Sequence, residues 1–366
     1  MKSEIKFLKE YVKTPSPSGY EVELGGQKVW MNYVKQFCEK VEIDEYGNAY
    51  AYYNFSQHSH VLEGVGETLF SSSKTVLLDA HCDEIGFVVF DITEDGFIKI
   101  ARLGGADITI APSSRVNVWG EKGAVSGVFG HPAIHIQKDF KAKVEDTFID
   151  IGVSSREEVE NKGIIIGTPI TMVDGYMELG DYHCGRSLDD KIGGFINAQI
   201  LRRLREGEVD LPFNLVVVNA VQEEVGLHGA QMAARKIKPD VAIVIDVTHD
   251  TVSPAYDKKK QGTIVAGKGA AIMSAPSIQK NLFKFIVDTA KKYKIPYQIT
   301  TSGRSSGTNA DAYAYPHGIP TGLIEMGMRY MHTTVETVHK EDVKSAIDLL
   351  YNVLNDDRII KSFKYE

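Results

Sequence analysis

The chain has 366 residues, 43% hydrophobic and 25% charged, with a formal net charge of −8. That length accommodates two domains with a sizeable core, and the composition is that of a soluble globular protein. The acidic balance and the absence of a long basic run exclude nucleic acid as an expected partner, and no apolar stretch approaches the roughly 18 to 20 residues that span a bilayer.

Ile5, Leu8, Tyr11 and Val12 recur at helical spacing over residues 4–13, and Thr14-Pro15-Ser16-Pro17-Ser18-Gly19 stops that helix. A second amphipathic helix is predicted over residues 21–38. Residues 41–53 read as strand, turn at Tyr46-Gly47-Asn48, and strand, and residues 54–74 as an exposed polar loop or hairpin. Residues 75–80 form a short apolar run of the kind buried in a parallel sheet. From residue 86 to about 173, short apolar runs alternate with Gly, Pro and Asp turns and hardly any convincing helical period appears, which predicts a small β-barrel or sandwich. Thereafter helices are predicted at 190–205, 228–236, 278–293 and 340–355, with strands at 213–221, 241–247, 297–300 and 320–325. The simplest account is one α/β domain (1–85 and 176–366) interrupted by a β module (86–175). Cys38, Cys82 and Cys184 show no CxxC spacing, and the first five residues lack the apolar core of a signal peptide, so a reducing, cytoplasmic location is expected.

Several predicted strand ends and loops carry groups able to do chemistry. His81 and Asp83 lie two apart on one strand and share a face, the arrangement in which a carboxylate orients a metal-bound imidazole; a plain hydrogen-bonded pair fits equally. Asp189 or Asp190, opening the 190–205 helix, fits a helix cap, whose second oxygen stays free to bridge cations. Glu223-Glu224 ends an apolar strand, where an unpaired carboxylate is costly: one can ligate a metal while its neighbour takes a proton from water. Asp246 ends the strand at 241–247, with His249 and Asp250 as competitors, and His332 follows the strand at 320–325. Imidazoles and carboxylates together suit zinc, cobalt or manganese and exclude a thiolate site.

Taken with Pro17-Ser18-Gly19-Tyr20-Glu21, His81-Cys82-Asp83-Glu84-Ile85-Gly86, Leu188-Asp189-Asp190-Lys191, Gln222-Glu223-Glu224-Val225-Gly226, Ile245-Asp246 and Arg329-Tyr330-Met331-His332, the chain resembles the tetrahedral and glutamyl aminopeptidases, metallopeptidases with two co-catalytic metals. The resemblance spans nearly the whole length. It implies a three-layer, mixed-sheet α/β metallopeptidase domain with a PDZ-like barrel inserted for dimer contacts. It also implies a homo-oligomer, from dimer to dodecamer, acting on peptides with a free N-terminus. Carried over residue by residue, it makes His81, Asp189, Glu224, Asp246 and His332 the ligands of two divalent ions, with Asp189 bridging. His81 would share one ion with Glu224, and Asp246 the other with His332. Glu223 would be the general base and Asp83 the residue orienting His81. Gly303 to Asp311 resembles the family's Gly-Thr-Asp-Ala loop with Asn309 in place of the acid, which makes Arg304, Gly307 and Asn309 candidates for substrate contact; Arg304 and Arg329 would favour acidic residues unless they serve as ion-pair partners. Two rival readings are an endoglucanase-like glycoside hydrolase, which leaves both histidines idle, and a non-enzymatic scaffold protein.

Overall fold

The structure is a computed structural model and describes residues 2–54, 74–136, 142–173, 175–254, 256–257, 259, 262–361 and 363–365. The loop expected at 54–74 lies, except for its two ends, outside the described residues. The elements begin with α1 (Lys2–Lys13), α2 (Gly26–Val34), β1 (Lys40–Ile43), β2 (Ala49–Tyr53) and β3 (Thr75–His81). There follow β4 (Gly86–Ile92), β5 (Ile98–Leu103), β6 (Arg115–Gly120), β7 (Gly123–Phe129), β8 (Phe148–Asp150), the short helix α3 (Arg156–Glu160) and β9 (Pro169–Met172). Next come β10 (Met177–Leu179), β11 (Tyr182–Gly185), α4 (Leu188–Glu206), β12 (Asn214–Ala220), α5 (His228–Ile237), β13 (Val241–His249) and β14 (Ala270–Ser274). The chain ends with α6 (Lys280–Tyr293), β15 (Tyr297–Thr301), α7 (Ala310–His317), β16 (Thr321–Arg329), β17 (Glu336–His339) and α8 (Lys340–Leu354).

Strands β12, β3, β13 and β16 lie side by side in parallel at the centre of a mixed sheet ordered β1-β2-β12-β3-β13-β16-β17-β11-β10, with β14 and β15 joined at β16. Their uninterrupted apolar runs have a physical reason. Side chains alternate between faces, and here both faces are covered. Val241, Ile243 and Ile245 of β13 enter the core shared with α1, α2, α4, α6 and α8, while Ala242 and Val244 enter the core under α5 and α7. Each fully buried aliphatic side chain stabilises by roughly 1.5–3 kcal/mol, so a slip of one residue, which exchanges the two sets, is strongly disfavoured. Helix α4 approaches the sheet closely at Gly194, where a methyl would stand 2.8 Å from the Asn219 side chain.

Between β3 and β10 the chain forms a closed six-stranded barrel, β4-β5-β8-β7-β6-β9, filled by Phe87, Ile100, Val116, Val118, Phe129 and Ile149. The architecture is thus the expected mixed-sheet α/β fold with a β-barrel set into it. Local expectations fare unevenly. Helix α2 starts at Gly26, not near 21, because residues 20–25 turn so that the buried Glu21 carboxylate can accept from Gln222 N–H at 3.1 Å. Strand β16 runs on to Arg329 instead of ending at Glu325, and β14, β17 and α7 were not foreseen.

Candidate metal centre

Parallel strands place their carboxyl ends on one edge, where open α/β folds build sites. At that edge His81 ends β3, Glu223-Glu224 follow β12, Asp246 lies near the end of β13, and His332 follows β16. Asp189 joins them from the first turn of α4, where Ser187 (φ 58°) and Asp189 (φ −79°, ψ 107°) depart from helical backbone. Gln222, Leu227, Tyr330 and His332 are also non-glycine residues with positive φ. Such backbone costs about 1–2 kcal/mol per residue, and its concentration here marks a place where side-chain aim outweighs backbone comfort.

His81 Nε2 stands 3.2 Å from Asp189 Oδ1, and its Nδ1 donates to the Asp83 carbonyl oxygen at 3.1 Å. The backbone carbonyl therefore fixes the ring more closely than the Asp83 carboxylate, which is 3.5 Å away. That carboxylate instead accepts from Glu223 N–H (2.9 Å), Glu224 N–H (3.2 Å) and Ser18 Oγ (2.6 Å), locking the paired glutamates in place. On the other side, His332 Nε2 lies 3.5 Å from both Asp189 Oδ2 and Glu224 Oε2. Among the described residues, two sets of ligand atoms fall within 4.8 Å of one another: His81 with Asp189 and Glu224, and His81 with Asp190 and Asp246. The first set is the expected sharing of an ion by His81 and Glu224, with Asp189 between them. Asp246 gathers with His81, and His332 stands against Glu224. Asp190 is the helix cap, accepting from Gly193 N–H at 3.0 Å.

Charge is out of balance here. Burial pushes the Glu223 carboxyl up to about 8, with His81 opposing and Asp246, Asp83 and Asp189 adding to the rise. Burial likewise carries Asp246 up to about 7, and Glu224 and Asp190 well above the carboxylate range. Against its burial, hydrogen bonds with His332 and His81 hold Asp189 well below that range. More carboxylates are packed together than two imidazoles can neutralise, and Asp190 Oδ2 is buried with no partner among the described residues. Oxygen and imidazole donors converging with a charge deficit fit divalent cations.

Sequence reasoning missed three supporting groups. Glu336 is buried and accepts from Asp189 N–H (3.0 Å) and His332 N–H (2.9 Å), tying two candidate ligands together. Glu84 pairs with Arg186 and, at 3.7 Å, with Lys191 beneath the start of α4. Gly105, in the barrel, packs on the His332 ring, where a methyl would stand 2.7 Å from Nδ1. The signals available were the motif His81 to Gly86, which contains Glu84, and the short alternating run around Glu336.

A cavity of about 610 Å³ opens on the centre, lined by His81, Asp189, Glu223, Glu224, Asp246 and His332 and continuing past Gly307 and Asp311. Of the candidate substrate contacts only Gly307 is on its wall. Arg304 is exposed and not part of the lining. Asn309 is turned away as well: it is 1% exposed and donates to Asp79 Oδ1 at 2.7 Å. Arg329 is spent on the fully buried Asp250.

Residues 66–349 match the M42 glutamyl aminopeptidase family. A lysyl aminopeptidase of Pyrococcus furiosus is 31% identical over 96% of both chains. Among solved structures, a TET aminopeptidase from a marine-sediment Thaumarchaeota archaeon superposes with a TM-score of 0.85 at 26% identity, covering 96% of each chain. The Pyrococcus horikoshii TET1 peptidase, described as assembling into a tetrahedron or a large octahedral shell, gives 0.80 at 27% identity, covering 96% of this chain and 99% of that one.

Proposed function

The chain belongs to the M42 glutamyl aminopeptidase family and is a peptidase, and on that premise we propose that it is metal-dependent, with Glu223 as general base in removal of the N-terminal residue from peptides. The observation that carries this reading is the position of Glu223. Its Oε2 is 3.9 Å from His81 Nε2, beside the clustered ligand atoms yet belonging to neither set.

Glu224 and His332 would hold one cation and His81 and Asp246 the other, with Asp189 between them. Zinc, cobalt and manganese all accept such donors. When bound, a divalent pair supplies Lewis acidity, which polarises a carbonyl and acidifies water near neutral pH. Glu223 takes the proton of the attacking water on its carboxylate and returns it to the departing amine. Asp83 keeps that carboxylate aimed by holding the Glu223 and Glu224 amides. The surrounding carboxylates receive the free α-amine of the substrate, which confines cleavage to the first residue. The barrel serves self-association: Phe90 (64% exposed) and Ile166 (62%) leave apolar surface that a second copy would cover. The protein would then act as a homo-oligomer, and its free Cys38, Cys82 and Cys184 suit a reducing, cytoplasmic compartment.

Chelation followed by reconstitution tests the metal requirement. Hydrolysis of leucine p-nitroanilide should vanish with the metal and return on adding cobalt, zinc or manganese. Full turnover by protein shown by emission spectroscopy to be metal-free would sink the reading.

A further inference from the structure

Resting on the aminopeptidase reading above, we propose that the cavity selects a cationic side chain, lysine or arginine, at the substrate's first residue, and that Glu325 is the group that recognises it. Glu325 sits inside β16, 1% exposed, on the wall of the 610 Å³ cavity. It is the register partner of Asp246 in the neighbouring parallel strand, so both side chains leave the sheet on the same face. Among the described residues its Oε2 has no hydrogen-bond partner. A buried carboxylate with an oxygen that lacks a donor, in a residue that lines a cavity, is a site awaiting one.

The cavity's charges support the same reading. With Asp189, Glu224 and Asp246 committed to cations and Glu223 to proton transfer, Glu325 and Asp311 remain on the wall. Asp311 is partly satisfied by Ser306 and Gly307 N–H. Glu325 is not. Among the described residues no lysine or arginine lines this cavity. Leu227, Val247, Met273 and Met331 supply apolar wall for the methylene stem of a long side chain. An acidic substrate side chain would add a carboxylate to an already acidic wall. A leucine would cover Glu325 and leave it unpaired. A lysine or arginine brings both charge and donors.

The test uses the metal-loaded protein with lysine, arginine, leucine and glutamate p-nitroanilides. The expected kcat/KM is at least about tenfold higher for lysine and arginine than for leucine, with glutamate lowest, since a site built to bond a polar group discriminates against substrates lacking it. In Glu325→Gln the lysine-to-leucine ratio should fall about tenfold or more, and calorimetry should show the tighter binding of L-lysine over L-leucine lost. A wild-type preference for leucine or glutamate overturns the proposal whatever the variant does, as does a variant in which all substrates decline together with the ratio intact. Turnover of leucine alone would leave the aminopeptidase reading standing, whereas no turnover of any substrate would remove both.

Discussion

Glu223 and Glu224 are chemically identical neighbours given different surroundings by one carboxylate. Asp83 accepts from both of their amides, and the two side chains diverge from that fixed backbone, Glu224 toward His332 and Glu223 toward His81. Replacing each should therefore have a different signature. Glu223→Gln keeps shape and removes basicity, so kcat should fall by roughly 10²–10⁴-fold with metal content unchanged by emission spectroscopy. His332→Ala should instead lower metal content, and excess metal should restore part of the activity; unchanged metal content would show that His332 is not a ligand. At this scale the sequence was most readable where an ionisable residue interrupts an apolar run at its end, as with His81 and Glu223. It misled where an acid stands inside the run. Asp246 and Glu325, register partners, each looked like the end of a strand that in fact continues, to His249 and to Arg329. Asn309 looked like a pocket residue because its true partner, Asp79, is 230 positions away.

At the scale of elements, what could be read was whatever a local period encodes. The strands β3, β12 and β13 announce themselves because both faces are buried. Helix α7 did not, because Pro316 and the Gly-Thr-Asn lead mask its period, and β17 is four residues long. The β10–β11 hairpin holds a group whose behaviour follows from its packing. His183 is 3% exposed and its Nδ1 lies 2.7 Å from Tyr176 Oη; burial, with Lys340 second, depresses the imidazole to about 4. The unfolded chain takes up this proton near its ordinary value of 6.5. The stabilisation from a neutral His183 is thus complete above pH 6.5 and is lost as pH falls toward 4, to a limit of about 3 kcal/mol. Melting temperatures measured between pH 7 and 4 should fall less steeply in His183→Gln than in the wild type. Parallel curves would mean that another group governs the acid limb.

For the whole molecule, the notable contact is the one between barrel and sheet. The loop after β5 crosses from the barrel to the centre, and Gly104 (φ +67°) can turn there where other residues are strained. A methyl on Gly104 would stand 3.1 Å from Glu224 Cβ, and one on Gly105 would stand 2.7 Å from His332 Nδ1. The Gly105 backbone faces the ring as well and, after the stronger effect of Asp189, helps raise that imidazole. The ring therefore lies between the Gly105 backbone of the loop after β5 and carboxylates from the α/β layers, and that loop helps to complete the centre. Because a Cβ at Gly105 cannot fit without moving the ring or the loop, Gly105→Ala should loosen the cation nearest His332. Partners that orient a ligand typically account for about 10–100-fold in metal affinity or activity. Equilibrium dialysis against limiting cobalt should show reduced occupancy, and turnover should recover in part at high metal. The barrel core of Phe87, Val116 and Phe129 lies elsewhere and should keep the protein folded. Wild-type occupancy and turnover in Gly105→Ala would mean that the loop merely lies beside the centre, and that the α/β layers aim His332 unaided.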